Sequence, residues 1–215
     1  MATTYYVNAA TGSDANDGSS GSPWLTPDTK PQASAASGDT IVLQDSGTTA
    51  FAWADVTFTK NLTWTGATSN IYNSSFSVIS AAGTAKQYIL TMTGGLTLDW
   101  TDVKFFNNLR TVNQVFSAGG TLTDDSTLNF TRCIFDTIQL DTDVAQGFLM
   151  SHGGGTSTWN VNVDNSIFHN MNYDAAPSVG NGQAIFNIRT AENITWNIDN
   201  NIVYYASGLS NASPV

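Results

Sequence analysis

Apolar and polar residues alternate in four segments that align without gaps: LTLDWTDVKFFNN from Leu96, STLNFTRCIFDTI from Ser126, WNVNVDNSIFHNM from Trp159 and ITWNIDNNIVYYA from Ile194. Their common core begins at Leu98, Leu128, Val161 and Trp196, at intervals of 30, 33 and 35 residues. Alternation with a period of two makes each block a strand, a tight turn and a second strand. One side of the first block carries Leu98, Trp100, Val103 and Phe105. The equivalent sets are Leu128, Phe130, Cys133 and Phe135, then Val161, Val163, Ser166 and Phe168, then Trp196, Ile198, Asn201 and Val203. A third apolar strand precedes each block, in YILTM from Tyr88, QVFSA from Gln114, GFLMS from Gly147 and AIFNI from Ala184. Upstream, NLTWTG from Asn61 places Leu62 and Trp64 over Leu98 and Trp100, and DTIVLQ from Asp39 supplies an earlier strand.

A repeat of this length cannot bury its apolar face alone, so neighbouring repeats must supply the core. The pattern predicts an all-β parallel β-helix (solenoid) of about six coils, with three short strands per coil and equivalent residues stacked as interior ladders. A β-sandwich would not demand equivalent residues in every block. At 215 residues the chain fits one domain. Its expected parts are an N-terminal cap over residues 1–38, the solenoid over 39–207 and a C-terminal tail over 208–215.

Charge changes the picture of partners. Seven Lys+Arg against seventeen Asp+Glu give a net charge of -10, and no basic run could follow a phosphate backbone. Nucleic acid and anionic membrane surfaces are therefore poor partners. Only 11% of residues are charged, so Thr, Ser, Asn and Gly must build the polar surface, a composition suited to strands and turns. A single cysteine, Cys133, excludes an internal disulfide framework and offers no metal-binding pair. The opening MATTYYVNAATGSD lacks the charged region and apolar run of an export signal, and no window reaches a membrane span. A soluble chain is expected.

The opening YYVNAATGSDANDGSSGSPW, followed by ASAASGDTIVL, resembles the N-terminal cap and first coil of the pectate-lyase-like right-handed parallel β-helix superfamily. The shared order is a Tyr-Val strand, an Asp/Asn-Asp-Gly-Ser loop, a Pro-aromatic step, a short alanine-rich capping helix and a Gly-Asp-Thr strand entry. The turns DNSIF at Asp164 and DNNIV at Asp199 resemble the family's Asn-bearing turns. This resemblance implies a right-handed solenoid with a short helix in its cap. It leaves function open, because the scaffold serves polysaccharide enzymes, binding modules, cell-surface proteins and phage appendages.

The chain's candidate chemistry is sparse. His169 follows inward Phe168, points outward beside the equivalents Phe106, Asp136 and Tyr204, and reads as a surface rung without a carboxylate pair. His152, in SHGGG, resembles a Gly-His-Gly element of β-helix polygalacturonases, yet the rest of that pattern is missing and the glycines read as a turn. Asp124 and Asp125, and Asp141 and Asp143, fall in corner loops, where two acids at the right separation could act as glycosidase acid and nucleophile or base. They are the weak catalytic candidates. SDANDGS near the N-terminus has alternate oxygen ligands like a partial calcium loop, without the distant bidentate Glu, and otherwise reads as turn chemistry; no other cofactor is expected.

The outward positions are more informative. The second strand of each coil presents Thr97 and Asp99, Thr127 and Asn129, Asn160 and Asn162, Thr195 and Asn197, a wet face. The third presents Lys104, Ile134, Ile167 and Ile202, flanked by Phe106 and Tyr204. An outward isoleucine stripe suits an association surface, unless a loop or the C-terminal tail folds over it. The leading expectation is a structural or binding protein that assembles through this face; the resemblance implies its setting, a phage virion appendage or decoration protein that forms a homotrimer or meets other virion proteins. Its rivals are a polysaccharide lyase or glycoside hydrolase and a secreted or cell-surface glycan-binding adhesin. The corresponding location is the virion or the extracellular space.

Overall fold

The computed structural model describes residues 1–47, 49–53, 56–67, 77–81, 86–106, 111–118, 124–136, 139–140, 147–149, 157–173, 184–186 and 193–207. The chain begins with β1 (Thr4–Val7), the helix α1 (Thr29–Ser34), β2 (Asp39–Leu43), β3 (Phe51–Trp53) and β4 (Thr57–Phe58). It continues through β5 (Leu62–Gly66), β6 (Ser77–Ala81), β7 (Lys86–Met92), β8 (Thr97–Thr101), β9 (Val103–Phe106) and β10 (Thr111–Ala118). Next come β11 (Ser126–Thr131), β12 (Ile134–Asp136), β13 (Gln139–Leu140), β14 (Gly147–Leu149) and β15 (Thr158–Asp164). The last are β16 (Ile167–Tyr173), β17 (Ala184–Phe186), β18 (Asn193–Asp199) and β19 (Ile202–Ser207).

These strands build a parallel β-solenoid. One wall is a seven-stranded sheet in the order β1-β2-β5-β8-β11-β15-β18, with β1 of the cap as its first rung, so the stack departs slightly from six coils. The other two walls are knitted into one twelve-stranded sheet, because β13 pairs with both β10 and β16. All named pairs are parallel, and their register puts Leu98 on Leu128, Leu128 on Val161 and Val161 on Trp196, as the alignment predicts. The third-strand alignment holds as well, with Tyr88 beside Gln114 and Gly147 beside Ala184.

Parallel strands lie about 4.8 Å apart, and the interior rings follow that spacing. Trp64, Trp100 and Phe130 stack at 5.2 and 5.0 Å, and Phe105, Phe135 and Phe168 at 5.1 and 4.8 Å. Every one of these side chains is buried. The columns then taper: Trp100 and Phe130 give way to Val163 and Ile198, while Phe168 gives way to Val203. Along the corner, Val103, Cys133, Ser166 and Asn201 grow more polar coil by coil. Asn201 folds back, accepting from Ser166 N at 2.7 Å and donating to the Val163 carbonyl at 2.8 Å. In the last described coil, solvent reaches the interior column, leaving Ile198 40% and Val203 53% exposed.

The corners after β8, β11, β15 and β18 each turn through one left-handed residue: Asp102, Arg132, Asn165 and Asn200, with φ of 59, 51, 51 and 55°. After glycine, Asn and Asp tolerate that conformation best. Arg132 is the exception, and its guanidinium makes a two-pronged ion pair with Asp102 of the previous coil, at 2.7 and 2.9 Å. The hydrogen bond to Asp102 raises the arginine's pKa. Gly66 lies at the top of the same corner, where a Cβ would stand 2.0 Å from the Asp102 carbonyl oxygen. No other residue fits there without shifting the coil.

The cap closes the opposite end. Trp24 is buried, stacks on Tyr5 at 4.4 Å and donates to the Asn16 carbonyl. Asp39 is buried where the solenoid begins and accepts from Thr3 N and Ala36 N, both at 2.7 Å. The helix sits earlier than the alanine-rich run suggests. Asp28 starts it by accepting from Thr29 N, and extended Ala35 ends it.

Two outcomes test this core. Phe135→Ala should lower unfolding stability by about 3–5 kcal/mol, whereas Val203→Ala, already in contact with solvent, should cost less than about 1 kcal/mol in the same urea titration. Burial pushes the Cys133 thiol up to about 12, so the folded protein should resist a thiol-disulfide exchange reagent that reacts fully with the urea-unfolded chain.

Candidate functional site

Two outer faces present side chains in register. The first belongs to β8, β11, β15 and β18. Their period-2 alternation turns Asp99, Asn129, Asn162 and Asn197 away from the core, each over its equivalent in the previous coil. The amides form a directional chain. Asn197 Nδ2 donates to Asn162 Oδ1 at 2.7 Å, Asn162 Nδ2 to Asn129 Oδ1 at 2.6 Å, and Asn129 Nδ2 to Asp99 Oδ1 at 2.6 Å. Thr63 extends the row by donating its hydroxyl to Asp99 Oδ2 at 3.3 Å. A carboxylate suits the final position because it only accepts.

The second face belongs to β9, β12, β16 and β19, and it carries the residues singled out for association. Lys104, Ile134, Ile167 and Ile202 form one outward column; Phe106, Asp136, His169 and Tyr204 form the next. Ile134, Ile167 and Phe106 are half-buried, while Ile202 and Tyr204 are 53 and 55% exposed. Apolar exposure on this face is therefore greatest at its C-terminal end.

A polar chain crosses the same face. The Asp136 carboxylate is held by Lys104 Nζ on one oxygen and by His169 Nδ1 on the other, the latter at 2.9 Å. The His169 ring stacks on Tyr204, with centroids 5.7 Å apart and planes 11° from parallel. Lys104 also lies 5.4 Å from the Phe106 ring centroid. His169 is thus more than a surface rung: a carboxylate from the preceding coil fixes its ring. The signal was in the alignment, where Asp136 and His169 share a column, but its chemistry emerges only when that column is read across coils.

The catalytic candidates fare differently. Asp124 and Asp125 sit exposed at the corner before β11. Asp125 Oδ1 accepts from Thr158 N at 2.6 Å, and the Asp124 backbone carbonyl accepts from Gly95 N. Asp125 is occupied in joining coils. Asp141, Asp143 and His152 lie outside the described residues. The oxygens of SDANDGS serve the cap itself: Asp14 accepts from Leu25 N, Thr26 N and the Thr26 hydroxyl, and Asn16 donates to the Pro23 carbonyl. Asp17 accepts from Ser19 N, a bond that lowers its pKa. Among the described residues, no three His, Cys, Asp or Glu side chains gather as a metal site, and no helix is long and apolar enough to cross a membrane.

Replacing Asn129 by Asp tests the ladder, since the new carboxylate would meet Asp99 and lose the donor between them. Asn129→Asp should cost about 1 kcal/mol at neutral pH, and the loss should shrink as pH falls through the carboxylate range and the repulsion is relieved. Thermal unfolding at two pH values measures both effects. Comparison of the chain with protein-family models, curated proteins and solved structures returns no match.

Proposed function

We propose that this protein is a structural or binding β-solenoid that assembles through the outer face of β9, β12, β16 and β19. One observation carries the proposal: the outward column Ile134, Ile167 and Ile202 ends in exposed Ile202 beside exposed Tyr204. Such side chains gain by leaving water, at roughly 25 cal/mol per Å² of apolar surface covered. The face spans four rungs, roughly 14 Å between its outermost strands, too little for a complete interface of about 800 Å² per partner. It serves instead as the apolar centre of a larger contact, with the neighbouring Thr and Asn positions as a polar rim.

The occupant under this proposal is a second copy of the chain, in a closed cyclic trimer, and the setting is a phage virion appendage or decoration protein. Trimer and virion role rest on the resemblance of the cap motif and first coil to the pectate-lyase-like superfamily. A glycan-active enzyme is the second reading, favoured by the Asp136–His169 pair, in which a carboxylate orients an imidazole able to act as a base.

Light scattering coupled to size-exclusion chromatography should give a trimer mass at micromolar concentration, and Ile167→Asp with Ile202→Asp should give a folded monomer. A monomeric wild-type chain under these conditions overturns the association proposal. Product release from a polysaccharide panel, abolished by His169→Ala, would favour the enzyme instead.

A further inference from the structure

We infer that assembly through this face is gated by protonation of His169, an inference that rests on the association proposed above. The geometry supplies a charge count. Lys104 and Asp136 form an ion pair, and His169 Nδ1 meets the same carboxylate, so with the imidazole neutral the three groups together carry no net charge. Taking up a proton makes the trio cationic. Among the described residues, the titratable groups facing His169 are Asp136 on β12 and Tyr204 on β19, with Lys104 on β9 joined through Asp136. Asp136 cannot neutralise both cations. Its side chain is 13% exposed, and its two oxygens are already divided between them.

The position of this trio gives the extra charge a consequence. The His169 side chain is 41% exposed in the single chain and borders the Ile134–Ile167–Ile202 column. A partner that covers the isoleucines must also dehydrate the imidazole. Losing water strengthens the attraction between Asp136 and a protonated His169, but the carboxylate balances only one of the two cations beside it. Dehydrating the unbalanced one opposes assembly. In a symmetric trimer every copy of the interface carries the same excess charge. Assembly should therefore be strong where imidazole is neutral and weak where it is charged.

Sedimentation velocity of wild type and His169→Gln at about pH 8 and about pH 5.5 tests this, because imidazole is the ordinary side chain that changes charge in that window. Gln keeps an amide donor but carries no titrating proton. The expected result is an assembly constant for wild type weaker by about tenfold or more at the lower pH, with the variant unchanged. Equal assembly of wild type at both pH values overturns the gate and leaves the association intact. A parallel loss in wild type and variant also overturns it, placing the sensitive group elsewhere. A wild-type monomer at the higher pH overturns the association, and the gate with it. Far-UV circular dichroism at both pH values separates unfolding from dissociation.

Discussion

The parallel backbone ladder is the constraint on which everything else in this molecule depends. Once strands are held about 4.8 Å apart and in register, each side chain meets its own equivalent from the neighbouring coil. Aromatic residues then stack face to face, as Phe105, Phe135 and Phe168 do. Outward amides bond in a row, from Asn197 to Asp99. Carboxylates meet donors from a neighbouring coil, as Asp102 meets Arg132 and Asp136 lies between Lys104 and His169. The same rule that makes the core makes the surface chemistry.

Much of the fold was legible because that rule leaves a trace in the chain. Leu98, Leu128, Val161 and Trp196 recur at intervals of 30 to 35 residues, and alternation around them separates inside from outside. What period and spacing do not contain is the choice among partners within a column. Asp136 and His169 could be aligned from sequence, yet nothing in the alternation said that the carboxylate would divide its oxygens between a lysine and an imidazole. The role of Arg132 follows from its place one coil beyond Asp102, at a corner that turns through positive φ. Asp125 has the residue type of an acid catalyst, but its carboxylate holds a backbone N–H from the next coil. Residue identity alone cannot distinguish those tasks.

The cap explains why the two ends of the solenoid differ. Trp24 and Asp39 close the N-terminal end with a stacked ring and a doubly bonded buried carboxylate. The C-terminal coil has no comparable closure among the described residues, where β18 and β19 each have a hydrogen-bonded strand on one side only. Tapering columns and the back-folded Asn201 reduce the apolar cross-section at that end without covering it. This asymmetry concentrates exposed apolar surface in one coil and separates it from the closed end by the length of the stack.

The amide row has a direction. Asn129 donates to Asp99, Asn162 to Asn129 and Asn197 to Asn162, so along the asparagines the donor is synthesised after the acceptor. A nascent chain, which emerges N-terminus first, therefore offers each incoming asparagine a ready acceptor on the coil before it. Other links run the opposite way: Thr63 donates to Asp99, Lys104 to Asp136 and Ser166 N to Asn201, and these close only when the later coil arrives.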